Sequence, residues 1–167
     1  MRTIVVGLGN PILSDDSVGI KVAELVKQRV PGNQDIEVTE AYAGGLRLME
    51  VIAGYDQAII VDAMKSGRYP VGTIRVLGAD SLAKTRNTLC THDGDLSMAL
   101  ELGRDLGLAT PGSLKIIGIE AEEVERFGEE LTCGVRAALP KAVEEVLRCC
   151  GITVAANSGC LQSVIKE

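Results

Sequence analysis

The chain has 167 residues, with a net charge of −6 and 46% hydrophobic residues. That is enough for one domain with a proper core, and too apolar for a disordered chain. Without a Lys/Arg cluster or an aromatic stacking platform, nucleic acid is excluded as a partner. No apolar run approaches the roughly 18–20 residues of a membrane span. Aromatic residues make up only 2%, so the core must be aliphatic. The five cysteines include no C-x-x-C pair, and Cys149 and Cys150 are adjacent. Reduced, mostly structural thiols are expected. The chain opens on a strand-like run with no signal peptide, which points to a cytoplasmic protein.

Thr3-Ile4-Val5-Val6 is a short β-branched run that reads as a buried strand. Gly7-Leu8-Gly9-Asn10-Pro11-Ile12-Leu13-Ser14-Asp15-Asp16-Ser17-Val18-Gly19 follows. A dinucleotide-binding loop would need a glycine at position 12, where this chain has Ile12. Asp15 and Asp16 would also repel a pyrophosphate and suit a cation better. An N-cap accounts for one of them, and the second suits the helix dipole. The loop alone leaves a structural and a cation-binding reading open.

Val18, Val22, Leu25 and Val26 share one face, which predicts a first helix over Ser17–Arg29, ended by Pro31-Gly32-Asn33. Ile36–Thr39 alternates and continues into Ala43 as a second strand, broken by Gly44-Gly45. Leu46, Met49, Val51 and Ile52 mark a short second helix. Gln57–Ala63 is apolar throughout its interior, as a central parallel strand should be, and Asp62 sits at its carboxyl end. Gly72–Leu77 alternates and suits a strand toward the sheet edge.

Residues 78–93 read as a long polar loop carrying His92, the only histidine. A third helix is expected from Gly94 to Leu106, with Gly103 allowing close packing on the sheet. Ser113–Glu120 is another strand, and Ala121–Thr132 a polar loop. Val135–Leu147 defines the last helix, where Pro140 predicts a kink or a late start. The order is β-α-β-α-β-β-α-β-α. The expected fold class is α/β: a single domain over 1–167, with a mostly parallel five-stranded sheet and helices on both faces.

Parallel strands put their carboxyl ends on one side of the sheet, so Asp16 and Asp62 can converge there. His92 precedes a helix that packs back on the same sheet and can reach the same rim. Two carboxylates and an imidazole make a facial site for a divalent metal, and nickel, zinc, iron and cadmium all remain open. The chain lacks G-x-S-x-G, H-E-x-x-H and a P-loop, so hydrolysis here would use a metal-bound or carboxylate-activated water.

These motifs resemble those of the hydrogenase maturation endopeptidases. Gly7 to Gly19 is similar to that family's G-x-G-N-x-x-x-x-D-[DE]-x-x-G signature. Ile59–Ala63 resembles its second acidic motif, and Thr91-His92-Asp93 with Leu96 and Leu100 its histidine motif. Gly118–Glu120 and Leu131–Val146 resemble its last strand and final helix. The resemblance runs over residues 1–147 and leaves the 151–167 tail outside it. It implies a twisted sheet between helices and an endopeptidase that removes a C-terminal extension from the precursor of a [NiFe]-hydrogenase large subunit. It further implies that Asp16, Asp62 and His92 are both the catalytic and the metal-contacting residues. The nickel would be supplied by the precursor, and another divalent ion could occupy the site in crystals. Relatives often carry Glu at the first of these positions, and the shorter Asp16 would draw the metal closer to the loop. Relatives also carry a Thr-Gly or similar pair in the segment thought to shape precursor choice, where this chain has Ala43-Gly44-Gly45-Leu46. A monomer is the expected state. The rival function is a metal-sensing module that docks a metallated partner without cleaving it.

Overall fold

Thr3–Leu8 forms β1 and Gln57–Met64 forms β3, and both are buried at every position. Strands buried on both faces must lie inside the sheet, and these two pair with each other in parallel. The computed structural model describes residues 1–78 and 96–153. Within them, β2 is Ile36–Ala41, β4 is Ile74–Gly78 and β5 is Ser113–Glu120. The sheet has five strands in the order β2-β1-β3-β5-β4. All pairs are parallel except β4 with β5. The expected edge position of the fourth strand holds. Its antiparallel direction follows from the short turn after β3, which leaves no room for a crossover helix.

Alternation along the strands divides the core in two. Val5, Ile59, Val61, Ile117 and Ile119 face α1 (Val18–Arg29) and α4 (Cys133–Cys149). Ile4, Val6, Ile60, Leu114 and Ile116 face α2 (Gly45–Ile52) and α3 (Leu96–Asp105). The α/β class, the element order among the described residues and the helices on both faces agree with the sequence reading.

Several local expectations are corrected. The first helix starts at Val18, after a 3₁₀ turn over Asp15–Ser17. The second strand ends at Ala41 and the fourth begins at Ile74. Leu48, not Leu46, anchors α2, and Leu46 is half exposed. Gly103 is close-packed, but on α2 rather than on the sheet: a Cβ there would lie 3.1 Å from Met49 Sδ. Leu106 falls beyond α3 and stays exposed.

Cys149 and Cys150 are free, partly buried thiols packed on the α1/α4 core, and burial pushes Cys150 up to about 11. Cys133 is free and exposed. Cys90, Cys160, His92 and the chain beyond 153 lie outside the described residues. Among the described residues no helix is long and apolar enough to cross a membrane.

The last helix does not start late; it begins at Cys133 and runs through Pro140. Pro140 lies on the exposed side of α4. It removes one backbone hydrogen bond there while filling no space in the core. Pro140→Ala is therefore expected to raise stability by about 1–2 kcal/mol, the restored helix bond outweighing the freer unfolded chain. Thermal unfolding of the two proteins checks this, and an unchanged or lower midpoint would contradict it.

Candidate active site

The chain leaves β1 toward β2 on one side of the sheet and leaves β3 toward β5 on the other. The strand order therefore reverses between β1 and β3. Doubly wound sheets bind ligands outside the carboxyl ends of the strands at such a switch point. Asp62 lies near the end of β3 and Asp16 lies in the loop after β1, so the two flank this crevice.

The loop reaches the crevice because glycines leave it room. Gly19, in the first turn of α1, rests against the strand ends: a Cβ there would lie 2.3 Å from both Leu8 O and Val61 O. Gly9 has φ +154°, and a Cβ on it would meet Asp16 O at 2.0 Å. The 3₁₀ turn is thereby pressed onto the rim between β1 and β3.

Both carboxylates are buried, Asp16 at 2% exposure and Asp62 at 0%. Asp16 Oδ2 accepts a hydrogen bond from Asn10 N at 2.9 Å. Asp62 Oδ1 accepts one from Ala63 N at 2.8 Å. Asp62 continues the Ala58–Ile60 alternation, so it points to the α2/α3 face, beside Gly118 in the register. Burying a carboxylate is costly unless donors or a cation offset it. His92, the third expected member, lies outside the described residues. Among the described residues no three His, Cys, Asp or Glu side chains form a metal-sized group.

A cleft of about 770 Å³ opens on this face between α2 and α3. Gly44, Leu46 and Arg47 line one side, and Met98, Leu102 and Asp105 the other.

Two further carboxylates shape the rim, and sequence reasoning missed the part of each. An N-cap could account for one of the two loop aspartates, but the Asp15 side chain caps no helix. It accepts hydrogen bonds from Glu122 N, Glu123 N, Thr132 N and Thr132 Oγ1 at 2.7–3.0 Å. Glu120, 2% exposed at the end of β5, accepts from Ser66 Oγ and Gly67 N at 2.7 Å and ties down the turn after β3. The adjacent acidic pair was the visible signal for the first. The second had none beyond an acid at the end of an apolar strand.

Fold and rim together define a doubly wound α/β domain with buried acids near its switch point. A family model described as hydrogenase maturation protease matches residues 20–149. The hydrogenase 2 maturation protease of Escherichia coli (strain K12) is 31% identical over 149 residues, covering 88% of this chain and 89% of that protein. The hydrogenase expression/formation protein HupD of Rhizobium leguminosarum bv. viciae is 28% identical, covering 93% and 79%. Among solved structures, the hydrogenase maturating endopeptidase HybD from E. coli aligns with a TM-score of 0.78 at 29% identity, over 89% of this chain and 91% of that one. The [NiFe] hydrogenase maturation protease HybD from Thermococcus kodakarensis gives 0.68 at 25% identity, over 89% and 99%. The chain belongs to the hydrogenase maturation protease family, and it is a peptidase. The loop carrying Asp16 precedes the matched range of the family model, so the geometry of the rim is the independent argument for that residue.

Gly19→Ala would push a methyl group into two backbone carbonyls that have no way to rotate aside. A loss of about 3 kcal/mol or more is expected, the upper end of the cost of overpacking. Equilibrium denaturation measures it, and wild-type stability would contradict the account of the loop.

Proposed function

We propose that the protein removes a C-terminal extension from the nickel-loaded precursor of a [NiFe]-hydrogenase large subunit. The observation that carries this reading is the pair of buried carboxylates, Asp16 and Asp62, flanking the switch point in a member of this peptidase family. Nickel arrives as part of the substrate. Asp16, Asp62 and His92 receive it, a carboxylate and imidazole set suited to this metal. The contact tests whether metal has been inserted and brings the scissile bond beside the carboxylates. A water adds to the scissile carbonyl carbon as Asp16 takes its proton, and Asp16 then passes that proton to the amide nitrogen as the C–N bond breaks, leaving a carboxylic acid and a free amine. The cleft between α2 and α3 gives the precursor chain a place on the Asp62 face. Its wall from Ala43 to Leu46 is the segment expected to shape precursor choice.

The protein is to be mixed with nickel-loaded precursor and the product weighed. The expected product is lighter by a short C-terminal peptide. Asp62→Asn and His92→Ala should each abolish the cleavage while the variants remain folded. A stable complex with unchanged precursor mass would overturn cleavage and leave the non-proteolytic docking role.

A further inference from the structure

Asp15 is fully buried, yet its partners come from the other end of the chain. Its four donors lie on Glu122, Glu123 and Thr132, more than a hundred residues away. Backbone bonds reinforce the contact. Asp15 N donates to Glu123 O, Ser14 N to Arg126 O, and Gly128 N to Ile12 O, at 2.9–3.0 Å. Leu13 and Phe127 form an antiparallel bridge. The loop after β5 is thus laced to the loop after β1, with the Asp15 carboxylate as its hub. Thr132 holds the N-cap position of α4, but its hydroxyl donates to Asp15 and caps nothing.

The side chains around this hub have the wrong sign to attract it. Residues 122–130 carry five glutamates against one arginine, most of them exposed. Among the described residues, the hydrogen bonds that Asp15 accepts come from these N–H groups and the Thr132 hydroxyl. Hydrogen bonds to a charged acceptor are short-range and directional, so this contact sets an orientation.

Asp15 and Asp16 are consecutive residues of one 3₁₀ turn. Successive side chains in such a turn diverge by about 120°. With Asp15 committed to the 122–132 loop, Asp16 is rotated to where its Oδ2 accepts from Asn10 N. We infer that Asp15 is a positioning residue for the cleavage site: it holds the direction of Asp16 by anchoring the shared turn to the loop after β5. The inference rests on the proposed role of Asp16. It makes the loop after β5 part of the active-site frame, although that loop contributes no reacting group.

Asp15→Asn keeps the size of the side chain but turns one acceptor into a donor facing another donor. Thr132→Val removes a single donor and leaves the rest of the knot. Both variants are to be compared with wild type for cleavage of nickel-loaded precursor, per folded molecule. In parallel, amide hydrogen exchange is to be followed at Asn10 and at Val61, which lies in the central strand. The expected result for Asp15→Asn is a kcat lower by about 10- to 100-fold, the scale of a small misplacement of a reacting group, with KM close to wild type. Thr132→Val should lower kcat in the same direction by less. The Asn10 amide should lose protection in both, while Val61 keeps it. A purely structural role would lower the unfolding midpoint and leave kcat and Asn10 protection at wild-type values, and that result overturns the inference. If Asp15→Asn does not fold, Thr132→Val decides by the same criteria. If wild type cleaves no precursor, the functional reading fails, and the Asn10 amide still reports whether Asp15 holds Asp16.

Discussion

The structure depends on how closely the loop after β1 can lie on its own sheet. Backbone touches backbone there: Gly19 against the carbonyls of Leu8 and Val61, and Gly9 against Asp16. Only residues without side chains permit this. The contact seats α1 and the acidic turn over the gap between β1 and β3. That gap is the place where the winding direction of the fold changes. The turn that carries Asp16 and the end of β3 that carries Asp62 then lie at the same rim of the sheet.

The four acids of this rim have separate duties. Asp15 and Glu120 are spent on backbone N–H and hydroxyl donors, and they hold the two neighbouring turns. Asp16 and Asp62 accept local backbone bonds and stand at the switch point. Burying carboxylates is costly unless donors or cations offset it. For Asp15 four donors do so. For Asp16 and Asp62 the proposed function adds a cation that would come with the substrate.

Much of the fold was legible in the sequence because its signals are local. Ser113–Glu120 and the central strand read as apolar runs, since parallel strands are buried on both faces. Helix periodicity found all four helices of the described residues. What escaped depends on distant partners. Nothing near Asp15 announces Thr132, and nothing near Gly103 announces Met49. Leu46 and Leu106 fit a periodic apolar face in sequence, yet they sit at or beyond helix ends and are exposed. Of the proposed site, Asp62 is read from strand-end logic and Asp16 from the failed dinucleotide motif, and the structure describes both as buried acids near the ends of β3 and β1. The direction of Asp16 is a property of the three-dimensional knot around its neighbour.

The central claim is that Asp16, Asp62 and His92 converge on one metal. Its most direct measurement is anomalous diffraction from crystals of this protein soaked in a divalent ion such as cadmium or nickel. The account predicts one strong peak at the rim between β1 and β3, within bonding distance of both carboxylates and of the His92 imidazole. A peak elsewhere with the rim empty, or these three side chains directed apart, would contradict it.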